Sequence, residues 1–111
     1  MASIIVSADV LRSLAFGSIS GTYAAIGTAF DHPMRIVKVS NKTNTDMIIS
    51  FDGVNDHDYI TAGSSEEYNV AANQVGNAGW FFRVGTIVYV KQVAAPGSGA
   101  VYVTALYGRG E

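Results

Sequence analysis

The chain has 111 residues, of which 49% are hydrophobic and only 14% are charged, and its formal net charge at pH 7 is -2. This length predicts one domain, residues 1–111. The slightly acidic charge balance without a basic run excludes nucleic acid as the main partner, and the absence of a long apolar run excludes a membrane span. The absence of cysteine excludes disulfides and thiolate metal sites. Ordinary soluble domains carry about a quarter charged residues, so a surface this thinly charged indicates a structural component packed against other polypeptides rather than an enzyme.

The N-terminal region has no features of a secretory signal. It lacks a positive segment, and its apolar run covers only Ile4–Val6. Two alternatives remain open for the next stretch, Ala8–Phe16. Val10, Leu11 and Leu14 recur at helical spacing after a capping aspartate, which favours a short helix, and a strand is equally compatible.

The remainder of the chain reads as many short strands. Glycines and short polar clusters separate runs rich in Val, Ile, Tyr, Phe and Thr. Ile19–Phe30 contains one or two strands, with Gly27 as a candidate bulge. In the run around Met47–Phe51 one face carries Met47, Ile49 and Phe51. The other face carries Asp46, Ser50 and Asp52, with Ile48 as the exception, which predicts a strand with one buried face.

The connections between these runs predict reversals of the chain. Residues 41–45 join two strand-like runs, Met34–Ser40 and Asp46–Phe51, and predict a hairpin. Ala94–Gly99 contains a proline and two glycines and predicts a turn before Ala100–Tyr107. Several runs are apolar on both faces, so they need cover from a second sheet, a loop or another subunit.

The predicted fold class is therefore all-β. We expect a single-domain antiparallel β-sandwich, with the jelly roll as one candidate topology and at most one short helix near residues 9–16.

The densest polar cluster is Asp52–Asp58, which holds three aspartates and one asparagine. Oxygen ligands of this kind suit calcium, but the spacing lacks the glycine and the bidentate glutamate of the helix-loop-helix calcium loop. We favour a solvated loop whose Asp and Asn side chains bond to their own backbone, and we expect no metal.

The sequence offers no catalytic constellation. His32 and His57 are the only histidines, and neither a Gly-x-Ser-x-Gly elbow nor a phosphate-binding glycine loop is present. We therefore expect no catalytic residues and no cofactor.

The aromatic run Trp80-Phe81-Phe82 must point to both faces of a strand, so at least one side should enter the core. The other side suits a sugar platform or a subunit contact. The candidate protein-contact residues of the whole chain are Ile4, Ile5, Val6, Trp80, Phe81, Phe82 and Arg109.

Four segments carry a family resemblance: Ser50–Gly53, Ile60–Ser65, Gly85–Lys91 and Gly97–Val103. Their pattern is similar to that of small virion proteins of tailed phages, and the chain most resembles the capsid decoration (staple) proteins of epsilon-fifteen-like podoviruses. The resemblance implies a non-enzymatic sandwich, made in the host cytoplasm, that sits on the outer capsid surface. There it would clamp neighbouring subunits of the major capsid protein, as a homo-oligomer with the dimer favoured.

Two other functions remain open at this stage. One is a neck, tail or fibre component of a phage particle. The other is a carbohydrate-binding adhesion module, which would present an exposed aromatic side chain beside polar loop groups. A small hydrolase ranks far below both, because the sequence offers neither a nucleophile nor a base in a recognisable setting.

Overall fold

The computed structural model describes residues 4–70 and 82–110. These residues form nine strands and one short 3-10 turn, Phe16–Ser18. The strands are β1 (Ile4–Ala8), β2 (Arg12–Ala15), β3 (Ala24–Ala25), β4 (Ile36–Asn41), β5 (Met47–Ser50), β6 (Asp58–Ile60), β7 (Ser65–Asn69), β8 (Tyr89–Gln92) and β9 (Ala100–Gly110).

The strands make two antiparallel sheets. The first sheet has the order β1-β9-β4-β7, with β2 also paired to β9, and the second has the order β3-β8-β5-β6. Because β4 pairs along the opposite side of β9, both β1 and β2 lie on the same side of it and form one interrupted edge strand. If β1 and β2 are counted as one strand, the fold has eight strands, and the chain passes from one sheet to the other at every connection except that between β5 and β6. The two sheet orders are those of a jelly roll.

The core lies between the inner faces of the two sheets. Val101, Val103 and Ala105 of β9 alternate inward, and Met47 and Ile49 of β5 face them from the second sheet, all fully buried. Each of the valine, isoleucine and methionine side chains among them contributes about 1.5–3 kcal/mol when it leaves water. The predicted β-sandwich is thus confirmed, and the predicted buried face is observed at Met47 and Ile49, whereas Phe51 is half-buried. Ser50, expected on the outer face of that strand, is instead fully buried.

The predicted hairpin between Met34–Ser40 and Asp46–Phe51 is wrong. β4 pairs with β7 and β9 in the first sheet, whereas β5 pairs with β6 and β8 in the second. The buried Asn41 explains the crossing. Its Nδ2 donates to the carbonyls of Thr45 (2.9 Å) and Ile60 (3.0 Å), and its Oδ1 accepts from the Thr43 N–H (3.1 Å), so the loop is bonded to the second sheet.

The other uncertain segments are now placed. Within Ala8–Phe16 the strand alternative is observed, because Arg12–Ala15 pairs with β9 and the only helical residues of the described chain follow it. The Ala94–Gly99 connection carries the chain from β8 of the second sheet to β9 of the first. Gly99 has a φ of +89°, as the predicted turn requires.

Candidate interaction surface

The edge strand formed by β1 and β2 is interrupted by a β-bulge. The Asp9 N–H donates to the Ala105 carbonyl (2.9 Å), and Arg12 lies opposite Val103. Two residues between them, Val10 and Leu11, therefore oppose the single residue of β9 at position 104. An extra residue of this kind bends the strand and re-aims the side chains that follow it.

The bulge brings Arg12 to the inner side of the strand, where Asp9 already lies. The Arg12 side chain is 7% exposed and lies 5.0 Å over the Phe30 ring. Its Nη1 donates to Asp9 Oδ2 (2.8 Å) and its Nε to the Thr28 carbonyl (2.7 Å). Burial raises the pKa of Asp9, but hydrogen bonds from Arg12 and the Val10 N–H outweigh it and hold that pKa below its usual value. The charges of the edge strand are thus neutralised inside the fold.

This edge strand and the 3-10 turn after it expose several large apolar side chains. Four side chains, which we call the edge patch, are exposed here: Val6 (73%), Val10 (78%), Leu11 (57%) and Phe16 (39%). These residues follow one another along a single sheet edge, and apolar exposure concentrated on one part of a surface marks interaction sites in soluble proteins. The edge patch is therefore the candidate interaction surface of the chain.

The structure places the predicted contact residues unevenly. Val6 belongs to the edge patch. Ile4 and Ile5 lie in β1, with Ile5 paired to Arg109 of β9, so these backbones lie side by side. Trp80 and Phe81 fall outside the described residues.

Phe82 belongs to an aromatic cluster at the rim of the core. Its backbone makes an isolated bridge to Met34, and its half-buried ring lies 5.4 Å from the Phe51 ring and 6.4 Å from the Tyr68 ring. For this aromatic residue the structure favours core packing over an exposed contact.

An open cleft of about 410 Å³ lies beside this cluster. Aromatic rings of Phe51, Phe82 and Tyr89 line it together with Arg83 and Thr86. Aromatic faces beside a cation and a hydroxyl suit a small polar ligand such as a sugar.

The acidic segment Asp52–Asp58 is organised by its own backbone. Asp52 Oδ1 accepts from the N–H groups of Val54 and Asn55, each at 2.8 Å, and from the Ser50 hydroxyl. These bonds hold the pKa of Asp52 far below its usual value. Within residues 4–70 and 82–110, no group of three or more His, Asp or Glu side chains is placed to hold a metal ion.

The same segment is also tied to the second sheet. Tyr23 donates its hydroxyl to Asp56, and Lys91 Nζ lies 2.9 Å from the same carboxylate. Burial and this bond to Asp56 raise the pKa of Tyr23 to about 12. The loop thus bonds both to itself and to the outer face of the sheet, which is a structural role.

The two histidines have structural contacts. His32 stacks on Tyr107 with a ring separation of 4.0 Å. His57 accepts the Phe51 N–H on Nδ1 (2.9 Å), which occupies one ring nitrogen. Neither of these contacts joins an imidazole to a hydroxyl nucleophile, as a catalytic triad requires.

Sequence reasoning missed most of the edge patch. The sequence pattern places Val10 and Leu11 in a short helix or in a strand, and in either one part of their surface would be buried. The signal that could have revealed the bulge is two consecutive apolar residues between an acid and a base. In a regular strand, residues three apart point to opposite faces, so Asp9 and Arg12 of a strand can pair only where the chain between them bulges.

The chain matches no protein-family model and no curated protein. No helix in the described residues is long and apolar enough to cross a membrane.

Proposed function

We propose that this chain is a non-enzymatic structural protein of a phage particle. It binds the outer surface of the capsid and clamps neighbouring subunits of the major capsid protein, as a homo-oligomer in which the dimer is favoured. The observation that carries this proposal is the edge patch, which is apolar outside and charge-neutralised inside.

Fold and composition support a binding role without specifying the partner. Jelly rolls are common among viral capsid proteins and lectins, but a fold hosts many functions and does not select one. The low content of charged residues adds the second argument, because a free small protein normally keeps itself apart from its neighbours with mixed surface charge.

The edge patch supplies a plausible source of binding energy. Val10 and Leu11 project from the bulge and would each contribute about 1.5–3 kcal/mol if docking buried them fully. A protein that binds only the assembled shell stabilises that shell by mass action. Many copies, each bound weakly across a junction between capsid subunits, then together oppose the pressure of packaged DNA.

Thermal release of DNA tests the clamp. Particles lacking the protein should release their DNA at a lower temperature than complete particles, and adding the purified chain back should restore the difference. Unchanged release in the depleted particles would contradict the proposal.

Paired variants connect that result to the edge patch. Val10→Asp with Leu11→Asp should abolish rebinding to depleted particles. The matched control is Val54→Asp, because Val54 is equally exposed (78%) but lies in the acidic loop. Equal rebinding by both proteins would show that the edge patch is not the contact.

A neck, tail or fibre component is the first alternative, and it uses the same kind of surface in fewer copies per particle. A carbohydrate-binding adhesion module is the second. The cleft between Phe51, Phe82 and Tyr89 favours it specifically. A glycan array would support it if binding is seen and is lost in Tyr89→Ala, and an array without binding would remove it.

A further inference from the structure

The four sheet edges of this molecule are protected to different degrees. Native proteins shield exposed edge strands by shortness, by charge or by proline, since an unpaired edge is a template for another strand. In the second sheet, β3 has two residues and β6 has three. In the first sheet, β7 carries Glu66 and Glu67.

The fourth edge, β1, has none of these devices. It spans five residues and contains no charged residue and no proline. Its inner side pairs with β9, and no other strand of the described chain pairs with its outer side. The bulge at Val10 and Leu11 separates β1 from β2, so the straight part of this open edge before the bulge is Ile4–Ala8.

The free backbone groups of β1 can be identified from the register. Because the Asp9 N–H donates to Ala105, the residues two and four positions before it also face β9. The N–H and C=O groups of Ile4, Val6 and Ala8 therefore point outward, away from the sheet.

This arrangement is symmetric about Val6. We propose that β1 pairs antiparallel with β1 of a second copy, with Val6 opposite Val6 and Ile4 opposite Ala8 in both directions. Each of these three pairs exchanges two N–H···O bonds, as hydrogen-bonded antiparallel pairs do. The result is one continuous sheet through the two molecules.

Charge and continuity identify the occupant as a second copy. A two-fold axis brings identical side chains together, so a charged edge would repel itself, and β1 is uncharged. The nearest charges on the same strand, Asp9 and Arg12, neutralise each other at 2.8 Å. On the outer face, Ala8 continues an apolar row with Leu106 and Ile36, which lie opposite one another in the register.

This inference names the interface of the homodimer in the proposed function and rests on that part of it. It is tested in solution without any capsid, so its failure is distinct from a failure of capsid binding. Sedimentation velocity of the full chain over a concentration series should show a monomer–dimer equilibrium. A monomer at every concentration would overturn the inference.

Charge variants at the symmetry axis test the register. Val6→Lys and Val6→Glu should each raise the dimer dissociation constant at least about tenfold, because like charges meet at the axis. An equal mixture of the two should form the heterodimer again. Val54→Lys, in the exposed loop, should dimerise as the unchanged chain does, and a Val6→Lys protein that also does so would overturn the proposed pairing.

A cross-link provides independent evidence. The chain has no cysteine, so Val6→Cys introduces a single thiol. In a hydrogen-bonded antiparallel pair the Cα atoms lie about 5.5 Å apart, within the range a disulfide spans. Mild oxidation should convert Val6→Cys into covalent dimers and leave Val54→Cys monomeric; equal cross-linking of the two would count against the β1 interface.

Discussion

Arg12 and Asp9 form a buried ion pair beneath a bulge in an edge strand, with 2.8 Å between Nη1 and Oδ2. The pair exists because Val10 and Leu11 bulge outward, which turns the Arg12 side chain to the inner face that Asp9 already occupies. One local insertion thus produces two surfaces, a neutralised charge pair inside and two exposed apolar side chains outside.

Removing the guanidinium should be costly. Arg12→Met keeps the length of the side chain but removes the donors that Arg12 supplies to Asp9 Oδ2 and to the carbonyls of Thr28 and Ala29. Breaking a buried pair by removing one partner costs about 3–5 kcal/mol, so we expect a loss near the lower figure in urea unfolding. Arg83→Met removes the same charge from an exposed position and should change stability by less than about 0.5 kcal/mol. Equal effects would contradict the described role of Arg12.

Asn41 should be sensitive to substitution for a different reason. Its side chain joins the end of β4 to the carbonyls of Thr45 and Ile60, and it is fully buried. Asn41→Ala leaves these groups unsatisfied and should cost at least about 2 kcal/mol.

Asn44→Ala serves as the control for Asn41, because the exposed Asn44 makes one bond, accepting the Gly97 N–H at 2.8 Å. It should cost about 1 kcal/mol or less. If thermal unfolding shows Asn44→Ala to be the more damaging change, the crossing loop is held in another way.

Gly99 can be tested against two other glycines. A Cβ at this position would lie 2.0 Å from the Lys42 carbonyl oxygen, and φ is +89°. Gly99→Ala should therefore lose more stability than Gly63→Ala, where φ is +79° and the space is open, and Gly21→Ala should be close to neutral. The left-handed conformation alone costs an L-residue about 1–2 kcal/mol, and this cost is common to both positions. Denaturant midpoints showing that Gly63→Ala loses as much stability as Gly99→Ala, or more, would contradict the close approach at Gly99.

The acidic loop predicts a loss of stability in acid. Backbone bonds from Asn55 and Val54 hold the pKa of Asp52 well below its value in an unfolded chain, about 3.9. A lowered folded pKa stabilises the protein above the unfolded pKa, and that stability is lost as the pH falls toward the folded value. The free energy of unfolding should thus decline below about pH 4.

Asp52→Ala isolates that contribution. The variant should be less stable at pH 7 and should lose less on acidification than the unchanged chain. Asp31→Ala removes the same charge from a side chain that is 72% exposed, and it should change stability at pH 7 by less than about 0.5 kcal/mol. A parallel decline in the unchanged chain and Asp52→Ala would show that another group governs the acid response.

The pattern of residue types along the chain predicted an all-β fold, whereas pairing between residues far apart in the sequence determined which strands are neighbours. The alternation of Met47 and Ile49 gave the strand and its buried face. The hairpin between β4 and β5 failed because Asn41, read as a turn residue, uses its side chain to carry the loop across to the second sheet. A pattern of residue types does not specify which strand β5 pairs with.

The candidate surface was only partly predictable for a similar reason. Val6 was expected as a contact residue and is exposed, whereas Val10 and Leu11 owe their exposure to a register shift against β9. That shift is a property of the pair of strands and not of either strand alone. Phe82, expected in an aromatic contact group, is half-buried because its backbone bridges to Met34 and its ring meets Phe51.

The most direct test of the proposed function is the copy number of this chain in purified phage particles made from the genome that encodes it, measured by quantitative mass spectrometry against the major capsid protein. A capsid clamp predicts a fixed ratio to the capsid subunits and a copy number on the order of hundreds, as repeated sites on a symmetric shell require. Complete absence from the particle, or only a ring-sized number of about a dozen or fewer, would contradict it.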